Sequence, residues 1–444
     1  MTKRTLRDRT TRRNIRRFAL NHFFVEGAMT VSEPESVLTL FVKALGGSNF
    51  LIGLMPSLRF FGWLAPQFFV AARMQRLSQF VPVTQALEFV RASLYLAIAG
   101  FALAYGVGNP QLVLGVFLVL FMITRVTAGS SSVARNEIIA RMVSPQERAH
   151  VVSLRRLSGG IAGFLAGFLI RYVLDKRVTS FPRNYAILIG TSGVSFAIAI
   201  AILSFIEEPE TSIEPKEVGA LEQLKRAPDL LRGDRRFMLF VIMRGASTGL
   251  SLAAPFYILY AVDELGAPAA MAGIYISVRT LSRVLSNIFW GRQCRRRGSL
   301  WILRASFMLA VGCPLTVILL SSLQSLLWPG GIPPFLMWAF GAVFLLQGLA
   351  DSAYGIGNVA YLFDIAPSKD RPTYYGLANT VLGPVYFLPA LGGALLDRVG
   401  FVPLFAVSLG MILLAYGLAV RLSRLGIRRD GSVPGTLDEQ RQCT

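Results

Sequence analysis

The stretch LGGSNFLIGLMPSLRFFGW, residues 45–63, is almost wholly apolar but contains one arginine, Arg59. An ionised guanidinium is costly to bury without a partner, and in a lipid bilayer such a charge is rare and suggests a function. The pattern returns at residues 265–283 as LGAPAAMAGIYISVRTLSR, in which Arg279 takes the place of Arg59. The two copies therefore indicate an internal repeat within an apolar chain.

Composition places the chain in a lipid bilayer. Of its 444 residues, 53% are hydrophobic and only 16% are charged, whereas soluble proteins carry about 25% charged residues. The mean hydropathy is +0.54. The few cysteines and histidines have no metal-site spacing, so we expect neither a metal nor a cofactor. The cysteines are Cys294, Cys313 and Cys443, and the histidines are His22 and His150.

Twelve stretches are long and apolar enough to cross a membrane, which takes roughly 20 residues. The predicted fold is therefore an all-α membrane protein with twelve transmembrane helices in two pseudo-symmetric six-helix bundles. The predicted spans are residues 18–43, 48–72, 82–106, 110–141, 153–175, 184–206, 237–262, 269–291, 300–322, 333–363, 373–396 and 401–422. The predicted regions are a basic N-terminus (1–17), an N-terminal bundle (18–206), a central loop (207–236), a C-terminal bundle (237–424) and a tail (425–444).

The distribution of lysine and arginine predicts the orientation of the spans. Most of these residues lie in the two termini and in the loops on the same side of the membrane. The opposite side holds only Lys43, Lys176, Arg177, Arg183 and Arg398. We therefore expect a multi-pass protein of the cell (inner or plasma) membrane with both termini in the cytoplasm. Contact with anionic lipid then explains the net charge of +20, so we expect no nucleic-acid partner.

The repeat extends beyond the two arginine-containing stretches. Arg91-Ala92-Ser93 recurs as Arg304-Ala305-Ser306, and Asn136 corresponds to Asn358. These pairs occur in the same order in both halves and at a nearly constant offset. Duplication of a six-span unit is a signature of secondary transporters.

The chain resembles the major facilitator superfamily over its whole length except the tails. GRQCRRRG, residues 291–298, is similar to the basic loop of that family between spans eight and nine, and a weaker copy runs from Gly62 to Arg76. Both copies lack the usual acidic residue. RVTAG, residues 125–129, is similar to a fourth-span motif whose arginine is linked to proton coupling in exporters. The fifth-span Gly-Pro motif of antiporters is absent. The resemblance implies that spans one, four, seven and ten line a central cavity.

Those four spans carry unusual polarity. A carboxylate in low dielectric can gain and lose a proton near neutral pH, whereas arginine cannot release one. We therefore expect Glu26 or Glu33 to carry a proton and Arg125 to tune the proton affinity of that carboxylate. Alternatively, Arg125 and Arg244 bind an anionic substrate through their planar guanidinium groups. The full set of substrate- and proton-coupling candidates is Glu26, Glu33, Arg125, Arg244, Gln347, Asp351 and Asn358.

Span one carries three glutamates around a proline. Glu26 and Glu33 are seven residues apart and share a helix face, whereas Glu35 lies roughly opposite Glu26 at about 100° per residue. Pro34 is expected to disturb the helix because it removes a backbone donor.

Several other charges have a structural alternative. Arg59 and Arg279 occupy matching places and are either structural ion pairs or coupling residues. Glu35, Arg244 and Arg283 could lie near a membrane interface and extend toward it. A last group near the cytoplasmic ends is predicted to form gate pairs between the bundles: Arg73, Glu137, Arg141, Arg292 and Asp364.

The function that these patterns favour is secondary transport of a small organic molecule, driven by protons. No Gly-Lys-Ser/Thr phosphate-binding loop is present, so ATP hydrolysis is not expected. Nor do His-Glu-x-x-His or Gly-x-Ser-x-Gly motifs occur, so we do not expect an enzyme. The expected partners are a small-molecule substrate, protons and the lipid bilayer, with the protein acting as a monomer. The alternative is a receptor or assembly factor that retains a transporter fold without transport.

Overall fold

The computed structural model describes residues 3–74, 79–143, 145–208, 234–328, 333–367 and 371–425. The helices are α1 (Lys3–Val31), α2 (Val37–Ala44), α3 (Asn49–Met74), α4 (Val81–Tyr105), α5 (Pro110–Met142), α6 (Pro145–Val173), α7 (Arg183–Leu203), α8 (Arg235–Ser247), α9 (Gly249–Asp263), α10 (Met271–Arg297), α11 (Ser299–Leu327), α12 (Phe335–Ala339), α13 (Gly341–Ile365), α14 (Arg371–Val381), α15 (Leu388–Val399) and α16 (Phe401–Arg424). A 3-10 helix, Pro384–Phe387, precedes α15. The predicted all-α fold is confirmed, while the predicted central loop and tail lie largely outside the described residues.

Eight helical segments of the described chain are long and apolar enough to cross a membrane. They correspond to predicted spans three, four, six, seven and nine to twelve. The other four predicted spans lie on α1 with α2, on α3, on α6 and on α10. The last three helices contain 26, 29 and 27 residues and so have the length to span a bilayer. They form much of the contact between the bundles, where polar side chains need not face lipid.

The first spans of the two halves are both interrupted. Span one divides into α1 and α2 around Pro34, as expected from the missing backbone donor. Span seven, predicted as continuous, divides into α8 and α9 at Thr248. In a membrane, interrupted backbone is tolerated only where it is buried in protein or lines a cavity. The interruptions therefore mark the centre of the molecule.

The two halves pack against each other in a symmetric manner. Helix α3 contacts α15, and α6 contacts α10, so spans two and five meet spans eleven and eight. The repeat is also visible in the backbone, since Gly46 and Gly266 occupy equivalent positions and have φ angles of 77° and 65°. Glycine adopts this left-handed region without the strain that a Cβ would cause.

The helices run between two faces of the molecule. We call the end that holds the end of α7 and the start of α8 the near face, and the end that holds residues 45–48 and 264–270 the far face. In the far half, the backbones of the two bundles nearly touch. A Cβ on Gly393 would clash with the carbonyl of Asn49, and one on Gly273 would clash with the carbonyl of Gly167. Direct backbone packing therefore closes the far face.

Candidate functional site between the bundles

A cavity of about 460 Å³ lies between the two bundles. Its wall contains four carboxylates and four guanidinium groups, which is a high density of charge for a membrane interior. These residues are Glu26, Glu33, Glu35, Asp351, Arg59, Arg244, Arg279 and Arg283. The sequence predicted a site role for all of them except Glu35 and Arg283.

Arg59, the arginine within the apolar stretch 45–63, binds two glutamates of the interrupted first span. Its Nη1 donates to Glu33 Oε1 at 2.8 Å and lies 3.7 Å from Glu35 Oε1. Arg59 lies on α3, so this contact stays within the N-terminal bundle. The interruption between α1 and α2 is thus held against α3 by charge.

Arg279, the repeat partner of Arg59, connects the two bundles. Its Nη1 donates to Glu35 Oε2 at 2.9 Å, and its Nη2 donates to Asp351 Oδ2 at 2.8 Å. Arg279 and Asp351 lie on α10 and α13 of the C-terminal bundle, whereas Glu35 belongs to the N-terminal bundle. Glu35 is only 8% exposed and contacts both arginines.

We call these five residues, Glu33, Glu35, Arg59, Arg279 and Asp351, the bridging network. It contains three carboxylates and two guanidinium groups, so one negative charge is in excess when all of them are ionised. Removing charges from water costs free energy that only close pairing recovers, which explains why the groups meet at the cavity wall. Both arginines therefore have carboxylate partners. The same contacts would serve a structural role of Arg59 and Arg279 and a role in coupling.

The position of Glu35 differs from that expected from helical periodicity. The periodicity places Glu35 opposite Glu26, but both line the same cavity. The periodicity fails because the helix ends at Val31, before Glu33, and resumes only at Val37. Pro34 was the signal that could have revealed this, since the 100° rule does not apply across a break.

Glu26 and Arg283 form a second contact between the bundles. Arg283 Nη2 lies 3.4 Å from Glu26 Oε1, joining α10 to α1. A further cavity of about 280 Å³ shares both side chains and extends to His22 and Arg156. Arg156 donates to Asn287 at 3.4 Å, which adds a further side-chain link between α6 and α10.

Arg244 differs from the other three arginines of the cavity. Its Nη2 donates to Asn379 Oδ1 at 3.0 Å and to the Tyr386 hydroxyl at 3.4 Å, and both acceptors are neutral. Its Nε is buried without an acceptor in the described chain. Arg244 is 8% exposed at the end of α8, and within the described residues no carboxylate oxygen lies within 4.0 Å of it.

Comparison with known proteins bears on this arrangement. A sequence profile of the Major Facilitator Superfamily matches residues 18–344 and, in a second alignment, residues 245–441. The chain belongs to the major facilitator superfamily. Multidrug resistance protein MdtG of Serratia proteamaculans (strain 568) is 26% identical over 203 residues, which is 44% of this chain and 45% of that protein. The alignment thus spans less than half the length of this curated relative.

Solved structures of transporters share the superfamily fold. A mutant form of the nucleoside transporter NupG gives a TM-score of 0.71 at 12% identity, covering 94% of this chain and 100% of that one. An auto-inhibited peptide transporter of the POT family gives 0.71 at 11% identity, covering 96% and 99%. At these identities the likeness supports the fold alone.

The superfamily-like RVTAG motif lies behind the cavity. Arg125 is buried, donates to the hydroxyl of Tyr95 and packs over the ring of Phe121. Tyr95 also accepts a hydrogen bond of 3.2 Å from Ser32, which immediately precedes Glu33. Within the described residues Arg125 pairs with no glutamate, and Arg59 is the arginine in contact with Glu33, so the tuning role of Arg125 stays a prediction.

The two polar candidates of span ten lie apart from the large cavity. Gln347 lines a small cavity of about 20 Å³ beside Arg279 and Asp351. Asn358 lies further along α13 and is not in contact with either cavity described above. The carbonyl oxygens of both side chains are buried without a donor in the described chain.

The described contacts of the gate candidates lie within single bundles. Arg141 lies 3.3 Å from Glu137 on the same helix and 3.6 Å from Glu208. Asp364 accepts a hydrogen bond of 2.5 Å from Ser299. Arg292 is exposed on α10, and the side chain of Arg73 lies outside the described ones. Their pairing between the bundles stays a prediction.

A second buried ion cluster was missed at the level of sequence. Glu88 accepts hydrogen bonds from Arg135 at 2.8 Å and Ser131 at 2.6 Å, and it lies 3.3 Å from Arg91. Arg91 is fully buried, with its guanidinium 3.9 Å from the ring centre of Phe196. The cluster joins α4 to α5 away from the cavity, which indicates a structural role.

Proposed function

We propose that this chain is a secondary transporter that moves a small organic solute by alternating access, with proton movement coupled to that of the solute. The observation that carries the proposal is the bridging network on the cavity wall. In transporters of this fold, two bundles rock around a central site and expose it to each side in turn. A charge network that joins the bundles at that site can link protonation to the rocking.

The excess carboxylate of the bridging network suits this coupling. A carboxylate that takes up a proton loses most of its attraction for an arginine. Protonation of Glu33 would release Arg59 toward Glu35 and so weaken the bond between Glu35 and Arg279 that links the bundles. Glu26 and Glu33 are our candidates for the proton carrier, because both line the cavity and each contacts an arginine. In this mechanism Arg125 acts on Glu33 indirectly, through Tyr95 and Ser32.

We favour export as the direction of transport. The RVTAG motif and the similarity to a multidrug resistance protein support export. The absence of the fifth-span Gly-Pro motif weighs against antiport. The distribution of lysine and arginine supports a cytoplasmic location for the near face and both termini, and with that orientation the closed far face corresponds to an inward-facing state. A monomer suffices, since one chain supplies both halves of the cavity.

The alternative function, a receptor or assembly factor without transport, would be expected to fill its cavity with side chains. The cavity of about 460 Å³ is instead large enough for a small organic ligand. This observation favours transport over the alternative.

The test begins with a thermal-shift screen of the purified protein against metabolites and drugs at two pH values. A compound that binds the folded state raises the melting temperature. Compounds that do so are then added to liposomes that contain the protein and a trapped pH-sensitive dye. We expect at least one of them to move protons with the wild type, and the movement to be lost with Glu33→Gln plus Glu26→Gln.

Arg398→Gln is the matched control, because Arg398 is exposed on α15 away from the cavity. It should leave proton movement unchanged. Binding without any proton or solute movement would refute proton-coupled transport and favour the receptor alternative. Proton movement that survives in the double glutamine variant would refute the proposed carriers.

A further inference from the structure

Arg244 holds a positive charge that the described chain leaves without a direct counter-charge. The other three arginines of the cavity each lie within 4.0 Å of a carboxylate. Within the described residues, Arg244 donates instead to the neutral oxygens of Asn379 and Tyr386. Burying a cation without a counter-charge is strongly unfavourable. The presence of Arg244 in this cavity therefore needs an explanation other than stability.

From this contrast, and resting on the proposed function, we propose that Arg244 binds the anionic group of the transported solute. A guanidinium has five N–H donors in a fixed plane, and the described contacts use only Nη2. The buried Nε has no acceptor in the described chain. This planar fork matches the two oxygens of a carboxylate or the oxygens of a phosphate ester. Arg244 lines the cavity, so a solute within the cavity can reach it.

The surroundings of Arg244 orient it for such a ligand. Asn379 and Tyr386 hold one end of the guanidinium from α14 and from the 3-10 helix. Ser247, one turn beyond Arg244, shares a hydrogen bond of 2.8 Å with Tyr354, and both of these residues also line the cavity. These hydroxyl groups provide further hydrogen-bonding capacity beside the fork for the remaining oxygens of an anion.

Apolar side chains of α3 line the same cavity and indicate the rest of the solute. The ring of Phe60 stacks on Tyr386, with centroids 4.8 Å apart and planes 14° from parallel. Trp63 and Leu64 follow on α3 and also line the cavity. An anion held at Arg244 therefore has an aromatic surface within the same cavity. The solute class that fits is an organic anion with one carboxylate or phosphate group and a flat apolar body.

The test compares two probes of the same shape that differ in charge, naphthalene-2-carboxylate and naphthalene-2-carboxamide. Thermal unfolding of the full-length protein in detergent is followed against the concentration of each probe. We expect the carboxylate to raise the melting temperature of the wild type and the amide to have little effect. Arg244→Gln should weaken the apparent affinity for the carboxylate about tenfold or more, because it removes charge-assisted hydrogen bonds. Arg398→Gln should respond as the wild type does.

The unliganded variants provide a second readout. If Arg244 serves binding, Arg244→Gln removes an unpaired buried charge and should melt at or above the temperature of the wild type. Should Arg244→Gln fail to fold, Arg244→Lys takes its place. It keeps the charge but loses the planar fork, so its affinity should also fall.

Three results would overturn the inference: equal responses to the two probes, a wild-type response in the Arg244 variants, or no response of the wild type to the carboxylate. Its failure is distinguishable from failure of the proposed function, since the binding measurement needs no gradient. Neutral solutes that move protons in liposomes would leave transport standing without the anion site. Carboxylate binding at Arg244 without proton movement would leave the anion site standing without coupling.

Discussion

Lys43 and Asp263 form an ion pair although they lie 220 residues apart, the offset that also separates Arg59 from Arg279. They occupy equivalent positions in the two halves, at the far ends of α2 and α9. The duplicated unit thus carries a cation in one copy and an anion in the other, and the pair joins the first spans of the two bundles where the far face is closed.

Breaking the pair between Lys43 and Asp263 should favour opening of the far face. Both side chains are 36% exposed, so the pair contributes only about 0.2–1 kcal/mol. Lys43→Ala should therefore increase the far-open population up to about fivefold. Distances between spin labels at positions 107 and 399, in a background without native cysteines, report the opening. The charge-swapped variant Lys43→Asp with Asp263→Lys should restore the wild-type distances, and an unrestored distribution would contradict this role.

The closest backbone approach between α6 and α10 predicts a stronger effect. A Cβ on Gly273 would clash with the carbonyl of Gly167, so Gly273→Ala should push the far ends apart. Overpacking of this kind costs about 1–3 kcal/mol. The same spin labels should show a longer distance, and the melting temperature should fall.

The matched control lies on the same helix. Nothing lies within 4 Å of a Cβ built on Gly291, so Gly291→Ala should be neutral or stabilise the protein by about 0.4–1 kcal/mol. If Gly273→Ala behaves like Gly291→Ala, the far halves are not closed by this contact.

The bridging network should respond unequally to loss of its members. It has one carboxylate more than arginines, so Glu33→Gln should change the free energy of unfolding by less than about 1 kcal/mol. Arg279→Gln leaves Glu35 and Asp351 without the arginine that both contact, and it should cost about 3 kcal/mol. Chemical unfolding in mixed micelles measures both values. Equal losses of unfolding free energy in the two variants would show that the excess of carboxylates over arginines does not determine the stability of this network.

The buried cluster around Glu88 should behave as a structural element. Glu88→Gln leaves Arg91 and Arg135 without the carboxylate that both contact, so we expect a loss of about 3–5 kcal/mol. Glu137→Gln makes the same chemical change at a 47% exposed side chain of α5 and should cost less than about 0.5 kcal/mol. A folded Glu88→Gln protein should bind solute as the wild type does, and a selective loss of binding would instead place the cluster in the transport mechanism.

Much of the fold could be predicted from the sequence. The apolar spans and the repeat around Arg59 and Arg279 predicted a duplicated helical membrane protein, and Pro34 predicted the break in span one. Six of the eight charged residues of the cavity were also predicted as site residues. These features are visible in sequence because length, apolarity and proline act locally, within one helix at a time.

The pairing of the charges was decided only by the tertiary structure. Glu35 reaches both Arg59 and Arg279 because the helix break turns it toward the cavity and because α10 comes from the other half of the chain. Arg125 was expected beside a glutamate but contacts Tyr95, since the rotation of α5 within its bundle sets its neighbours. The sequence by itself determined that charges such as Arg59, Arg125 and Arg279 lie within apolar spans. Which of them share a partner, and that Arg244 alone among the cavity arginines has no carboxylate beside it in the described chain, depends on how two bundles meet, and local periodicity does not contain that information.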